Sequence, residues 1–451
     1  MSFSGLYIGA SGLTAAQRAV EVAAHNVANA NTTGFTRQRL TVSTATPTPG
    51  TSGARGTGMY GTGVTTVSVD RLRDRLADVA YRSEAGVTGS ATARSETLSR
   101  TESILGTFGD GANEALSRFQ AAWDQLSLSP SDPAARASVL TTGQALSTSL
   151  QGSAQKLTGV TNEIGQRIGD QTDELNGLLS SVATLNAAIA RAQTDAQQPN
   201  DLLDQRDNAL DRIATLTGAS LGQDSNGMVT VSIGGHQVVA GGTAEALTAG
   251  TDAQGIPVLS FANGSNASPG GSLGGYLSTV HVDLPAFRAD LNRIATGLMS
   301  TVNAIHRAGI GTDGSTGVDF FSGTSAADIA VAITDPAKVA ASLSGSVDDG
   351  SNALAMTALR TSQAVGSNTV AEAMQALGGR VGQAGADAAR NARTAEAALS
   401  GAQQVRSSAD GVNIDEEMVD LVKYQHSYQA AAKVISVVDD LLDKLINQMV
   451  R

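Results

Sequence analysis

The two ends of this chain carry matching heptad patterns, and few folds accommodate that. Near the start, Leu6, Leu13, Val20 and Val27 recur every seven residues, with Gly9, Ala16, Ala23 and Ala30 at the intervening positions. Near the end, Leu421, Tyr428, Ile435, Leu442 and Met449 form one column, and Tyr424, Ala431, Val438 and Leu445 form a second. Each pattern reads as a helix with a narrow apolar seam, as in coiled-coil packing. The first seam alternates large with small residues and would let a bulkier helix approach closely. The second supplies the bulk. A single apolar stripe usually belongs to an amphipathic helix on a globular core, but two such stripes at opposite termini point to mutual pairing.

Local signals bound both helices. The first should stop where Asn26, Asn29 and Asn31 cluster ahead of Thr32, Thr33 and Gly34, because Asn and Gly readily adopt the left-handed conformation that ends helices. The second should start at Asn413, with Glu416 at the third helical position reaching back as in a capping box. Asp415, Glu416 and Glu417 would then lie in the first turn, where the helix dipole favours negative charge. Their spacing does not match a calcium loop.

The interior alternates textures. Residues 36–69 are rich in Gly, Thr and Pro, with Val64, Val67 and Val69 near a strand, which reads as extended or hairpin structure. From Val139 the apolar positions run Leu146, Leu150, Leu157, Val160, Ile164, Ile168, Leu175, Leu178, Val182, Leu185 and Ile189, a helical period sustained for many turns. Unbroken from Ala134 to Ala196, that helix would be on the order of 90 Å long, the dimension of a rod. Gly152, Gly159, Gly165, Gly169 and Gly177 argue against continuity, since each costs ~1 kcal/mol relative to Ala. A second helical region spans Asn352 to Val405, with Val370, Met374, Leu377, Val381, Leu399 and Ala402 on its apolar side. Between the two, Met228 to Ile233 alternates like a half-buried strand after an Asn226-Gly227 turn. Val238-Val239 and Val258 to Phe261 add strand signals; Asp283 to His306 returns to helix, and Phe320 to Ile333 looks strand-like.

With aromatics at only 3% and 50 glycines, the chain has little side-chain volume for one dense core, which suits long helices packed through small residues. Its 41% hydrophobic content excludes global disorder. The expected fold is therefore mainly α with inserted β, an elongated rod of several domains. Residues 1–35 with 410–451 form a terminal coiled-coil assembly domain. Residues 36–215 with 284–409 form a helical rod domain with short β-hairpins, and 216–283 an inserted β-rich outer domain.

Nothing in the sequence is arranged for chemistry. The net charge is −12 with no basic run, so a nucleic-acid partner is excluded. There is no cysteine, hence no disulfide, thiolate nucleophile or Cys-based metal site. His25, His236, His281, His306 and His426 never fall at metal-binding helical spacing, and no zincin motif, Walker loop or nucleophile elbow occurs. The run Asp201 to Asp207 could offer an acid–base pair, but Arg206 between its carboxylates points to a solvated, salt-bridged helix face. No catalytic, cofactor or metal site is expected. No stretch approaches ~18 uninterrupted apolar residues, so no membrane span is expected. The first residues lack the basic region and apolar stretch of a cleaved secretory signal, which also fits export by a route that uses none.

The run Asn26 to Gln38, with Asn29, Asn31, Gly34, Phe35 and Arg37, resembles the N-terminal signature shared by flagellar rod, hook and hook-associated proteins. The end, from Gly411 through Met418, Tyr424 and Tyr428 to Lys433 and Ile435, is similar to the partner C-terminal signature. Within that group the interior resembles the FlgK family of hook-associated proteins, which form the first hook–filament junction. Leu128 to Arg136, Asp201 to Asp207, and Gly271 to Tyr276 ahead of a helix with Asn292 and Asn303 carry this likeness. The chain is short for the family, which points to a reduced outer domain. The resemblance implies a structural subunit of the extracellular flagellum that self-assembles into a ring at the hook–filament junction. It implies an assembly interface of Leu6, Leu13, Val20, Val27, Leu421, Tyr424, Tyr428, Ile435, Val438, Leu442 and Leu445. Hook protein and the adjacent junction protein would be neighbours, and an export chaperone would hold the C-terminal helix during type III secretion. Another axial subunit fits less well, since the long helical stretch from Val139 to Ile189 is foreign to hook and rod proteins, whose middles are mainly β. A secreted adhesin is a more distant alternative.

Overall fold

The computed structural model describes residues 4–49, 59–194 and 198–449; side chains at 48–49, 106–110, 445 and 448–449 are outside the described set. The chain opens with helix α1 (Ser4–Asn29) and a β ribbon in which β1 (Gln38–Thr44) pairs antiparallel with β4 (Val64–Arg71). Two short strands, β2 (Thr48–Pro49) and β3 (Met59–Tyr60), also pair antiparallel. The strand expected around Val64, Val67 and Val69 is thus β4.

Asp74 starts the next helix by accepting the backbone N–H groups of Leu76 and Ala77. That helix, α2 (Arg75–Leu128), runs for 54 residues. Sequence reading missed it, because up to Thr97 its buried apolar residues are all small: Ala77, Ala85 and Ala93. From Leu98 onward it has a clear helical stripe of Leu98, Leu105, Leu116, Phe119, Trp123 and Leu126. After a turn closed by Asp132 at the Ala134 N–H, α3 (Pro133–Thr194) returns for 62 residues. At 1.5 Å per residue it is about 93 Å long. The expected interruptions do not occur. A side chain at Gly152, Gly159, Gly169 or Gly177 would meet nothing, so these glycines weaken α3 without bending it. Gly143 differs, since a Cβ there would lie 2.8 Å from Phe320.

Helix α4 (Asn200–Thr217) follows and ends at Gly218, whose φ of 59° is left-handed. The β-rich segment comes next. Strands β5 (Ser220–Gln223), β6 (Val229–Ile233), β7 (His236–Ala240) and β8 (Thr243–Ala244) form one antiparallel sheet, and β9 (Thr248–Thr251) pairs with β10 (Pro257–Ser260). This β part is shorter than the expected 216–283, because α5 (Gly271–Ser278) and a π turn at Thr279–Asp283 lead directly into α6 (Leu284–Ala308). The sheet also lies against α3. The Asn186 side-chain amide donates to the carbonyls of Val229 and Gly241, and that of Asn176 to the carbonyl of Leu247. Val231, Ile233 and Val239 join the same apolar core as Leu175, Leu179 and Val182.

Beyond α6 the strand-like stretch contracts to two residue pairs, β11 (Phe321–Ser322) and β12 (Ala330–Val331). Burial of Phe320, Phe321, Ile329 and Ile333, rather than strand pairing, produces the apolar pattern read there. The second long helical region starts later than Asn352. A short α7 (Ser351–Ala355) and a 3₁₀ turn precede α8 (Val370–Asp410), which a Thr369–Glu372 capping box opens. Helix α8 runs antiparallel to α2, as Gly385 beside Glu102 and Arg406 over the Tyr81 ring show. Finally α9 (Ile414–Met449) leaves Asn413, whose side chain accepts the Asp415 N–H as expected of a cap.

At the end where α2 meets α3, an aromatic cluster closes the rod. Phe119, Trp123, Phe320 and Phe321 are fully buried, with ring centroids 4.8–6.2 Å apart. His306 completes it as a neutral tautomer, donating from Nδ1 to the Val318 carbonyl at 2.7 Å and accepting the Ala340 N–H at Nε2. Burial pushes its pKa down. Arg136, from the Leu128–Arg136 motif, is buried there with its guanidinium on the carbonyls of Pro130 and Val339.

Candidate assembly interface

Helices α1 and α9 pack antiparallel. A Cβ on Gly5 would touch Val438, one on Gly9 would come 2.8 Å from Ile435, and one on Gly12 would face Ala431. At the other end of the pair Asn26 meets Glu417. The line of closest approach differs from the large heptad column. It runs through Gly9, Ala16, Ala19, Ala23 and Asn26, which are buried, while Leu6, Leu13, Val20 and Val27 flank it half-buried. Small side chains let the backbones approach, and larger ones are displaced to the edges. Tyr428, from the first column of the α9 pattern, is 40% exposed. Leu421, Tyr424, Ile435, Val438 and Leu442 are half-buried against α1; the side chain of Leu445 lies outside the described set.

The pair leaves much apolar surface open. Val419, Val422, Val434, Val437 and Leu441 on α9 and Tyr7 on α1 are exposed. Single exposed aliphatics are ordinary, but this many on one helix pair is the character of a surface awaiting a partner.

A buried polar node fixes the register of the pair. The Asn26 side chain donates to the Gln38 carbonyl (2.8 Å) and to Glu417 (2.9 Å), and accepts the Gln38 N–H (3.0 Å). It therefore pairs with Gln38 as a neighbouring strand would, and ties α1 to both β1 and α9. Glu417, only 3% exposed, also takes the Arg37 guanidinium at 2.6 Å, while Arg37 reaches Glu416 at 2.9 Å. Burial works against the Arg37 charge, but these carboxylates raise its pKa overall. A buried asparagine at a helix seam specifies register at some cost in stability.

The rest of the signature run has equally local reasons. Gly34 has a φ of 78°, and a Cβ there would fall 1.8 Å from the Asn208 side chain. Phe35 packs edge-on against His25 with centroids 5.3 Å apart. Gln38 accepts from Asn200 through its side chain, and Asn29 donates to the His25 carbonyl. Asn31 lies in the turn after α1.

Beneath this node sits a buried ion cluster that sequence reading placed on a solvated face. Asp204 and Asp207 point inward from α4 and meet arginines from elsewhere in the chain. Arg71 bridges Asp204 (2.6 Å) and Asp207 (2.9 Å), Arg73 bridges Asp207 and Asp78 (both 2.5 Å), and Arg82 bridges Asp207 (3.3 Å) and Asp211 (2.6 Å). Arg406 of α8 reaches Asp78 at 3.1 Å and Asp211 at 2.7 Å. Arg206 turns away to Asn186. Burial pushes the Asp207 carboxyl up, but Arg73, Arg71 and Arg82 outweigh it and hold the pKa below the ordinary range. Asp410 ends α8 and accepts the Asp74 N–H; burial and then the like charge of Asp78 push its pKa up. The three linkers that join the terminal pair, the β ribbon and the rod, at 30–37, 72–74 and 411–413, run beside this cluster, as Thr36 on Asp204, Arg73 on Asp78 and Asp207, and Asp74 on Asp410 show. Sequence could not show it, because its ion pairs join residues up to 328 positions apart (406 − 78), as Arg406 and Asp78 are.

Among the described residues no group of three or more His, Asp or Glu is placed to hold a metal, and no helix is long and apolar enough to cross a membrane.

Three family models match the chain. The flagellar hook-associated protein FlgK helical domain matches residues 98–321, the flagellar basal body rod FlgEFG protein C-terminal model 403–449, and the flagella basal body rod protein model 6–36. Flagellar hook-associated protein 1 of Bacillus subtilis is 30% identical over 99% of this chain and 98% of its own length. That of Escherichia coli is 28% identical over 69% of this chain, of whose own length 58% is covered. In fold, the chain is similar to the flagellar hook junction protein FlgK from Burkholderia pseudomallei. The TM-score is 0.66 at 14% identity, over 73% of this chain and all of that one.

Proposed function

This chain belongs to the FlgK family of flagellar hook-associated proteins, and from that premise we propose that it is the subunit joining hook to filament, assembled through its terminal helix pair. It is a structural component of the flagellum, not an enzyme. What supports the assembly reading is the open apolar surface of the pair, with Val419, Val434, Val437 and Leu441 in water until another subunit covers them. A fully buried side chain of this size contributes roughly 1.5–3 kcal/mol, so covering several of them in each subunit favours polymerisation. Copies of the same chain would close a ring, with hook protein on one side and the adjacent junction protein on the other. Until then the termini would be exported by the flagellar type III apparatus, with a chaperone on α9. The domain division follows the same logic: the terminal pair assembles, the helical rod radiates, and the small β segment stiffens α3.

Imaging a tagged copy on intact cells tests the proposal. A single spot at the base of each filament is expected. Label spread along the filament, or confined to the cell interior, would overturn it.

A further inference from the structure

At the turn from α8 into α9 one carboxylate sits where helix and ion cluster both disfavour its charge. Asp410 is the last residue of α8, at the carbonyl end, where the helix dipole favours a cation. It is only 8% exposed, although carboxylates are seldom buried without a close partner. Its Oδ1 accepts the Asp74 N–H at 3.1 Å, while its Oδ2 stands 3.9 Å from Arg406 Nε, its only ion pair among the described residues. Both arginines that face it are committed elsewhere. Arg73 holds Asp78 and Asp207, and Arg406 holds Asp78 and Asp211. The remaining charges around the turn are also engaged: Arg37 with Glu416 and Glu417, Arg212 with Glu174, and the Asp74 carboxylate with the first turn of α2. Asp78 faces Asp410 as a like charge.

The same residue seats the chain that follows. The Asp410 carbonyl accepts the Arg37 N–H, and Gly411 then turns so tightly that a Cβ there would lie 2.4 Å from the Ser407 carbonyl oxygen. Beside it opens a cleft of about 540 Å³, bordered by Phe35, Asn208, Asp211 and Asp410. We propose that Asp410 is a proton-operated latch on this turn. With its carboxyl neutral, the turn is closed on the Asp74 and Arg37 N–H groups. When the proton leaves to water in the cleft, the carboxylate moves after it and the turn loosens. Burial, and then the repulsion of Asp78, outweigh the Asp74 hydrogen bond and the two arginines and push the pKa above the ordinary carboxylate value. The closed turn therefore binds the proton more tightly than the open one. Closure is strongest below the ordinary value and weakens as the pH rises through the raised one. Helix α9 leaves the rod from a firmer seat in mild acid than at neutral pH.

Carboxyl NMR and amide exchange on the full-length monomer test the latch. The Asp410 carboxyl should titrate above the value of about 3.9 that is ordinary for aspartate. The Arg37 amide, on the Asp410 carbonyl, and the Gly411 amide, on the Ser407 carbonyl, report the turn. Their protection, corrected for the intrinsic pH dependence of exchange, should be higher at pH 4.5 than at pH 7. Asp410→Asn keeps an oxygen for the Asp74 N–H and removes the charge. It should raise the protection of both amides at pH 7 about threefold or more, the factor that half a pH unit represents, and abolish the difference between the two pH values. An unchanged Trp123 emission shows that the rod stays folded. Titration at or below the ordinary value overturns the latch, and so does equal protection at both pH values. Neither measurement needs a variant, so they decide the matter if Asp410→Asn fails to fold. Lower or unchanged protection in a folded Asp410→Asn chain overturns the latch as well.

Discussion

Glycine-to-alanine substitutions at different places in the same helix, α3, should move stability in opposite directions. Alanine gains up to about 1 kcal/mol over glycine in a helix interior wherever its methyl has room. At Gly159 and Gly169 of α3 a Cβ would meet nothing within 4 Å, so Gly159→Ala and Gly169→Ala should each stabilise by up to about that amount. At Gly143 the same methyl would sit 2.8 and 3.0 Å from Phe320 and 3.3 Å from Phe119. Neither ring can move aside alone, because both are fully buried and packed on Trp123 and Phe321. Overpacking of this kind costs about 1–3 kcal/mol, so after the helix gain Gly143→Ala should lose roughly 0–2 kcal/mol, with about 1 as the central value. Trp123, the sole tryptophan, lies in that cluster and reports its unfolding in urea. A Gly143→Ala midpoint above the wild type, or Gly159→Ala and Gly169→Ala midpoints below it, would refute this account of why α3 tolerates its glycines.

Other outcomes follow from the same geometry. Ile435→Asp or Leu442→Asp should abolish filament growth on cells while the urea transition reported by Trp123 stays unchanged; normal filaments would contradict the assembly interface. Gly34→Ala meets both a left-handed backbone, costing roughly 1–2 kcal/mol, and the Asn208 side chain 1.8 Å away. Motility should fall sharply, and Asn208→Gly should partly restore it. His306 has a pKa below its unfolded value of about 6.5, so below that pH the unfolded chain binds the extra proton and the folded core does not. Stability of the aromatic cluster should therefore drop by up to about 1.4 kcal/mol per pH unit below pH 6.5, until the folded pKa is reached. A pH-independent thermal midpoint between pH 7.5 and 5.5 would exclude this.

How much of this could be read in advance depended on the range of the interactions. Helix α3 was legible because Leu146, Leu157, Ile168 and Ile189 repeat one local period, and Asn413 because a cap acts within a single turn. The first part of α2 was not, since alanine and glycine make up most of its buried face and leave little contrast for a period to show. The seam was legible in place but not in detail. Heptad spacing located both helices, yet the larger side chains of α1 fell beside the contact rather than within it. That follows once Gly9, Ala16 and Ala23 set the distance between backbones. Asp204 and Asp207 were misplaced for the opposite reason. A carboxylate run in sequence looks solvated unless the arginines that bury it are visible, and Arg71, Arg73 and Arg82 come from a different part of the chain.

The composition of the terminal pair then follows from two opposing demands. A pair with leucine at every contact would hide its apolar residues against each other, be stable alone, and leave little to drive polymerisation. A pair with no specific contact would present its apolar residues in any register, and neighbours would add out of step. Glycine and alanine along the line of contact keep the pairing weak and turn Val434, Val437 and Leu441 outward. The Asn26–Glu417–Arg37 node, which small apolar contacts cannot replace, keeps that weak pairing in one register. On the proposed assembly, weak pairing would supply the driving force and the node its order. Asn26→Leu should separate the two, leaving association of the monomers intact or stronger in sedimentation while filaments on cells become rare or misattached.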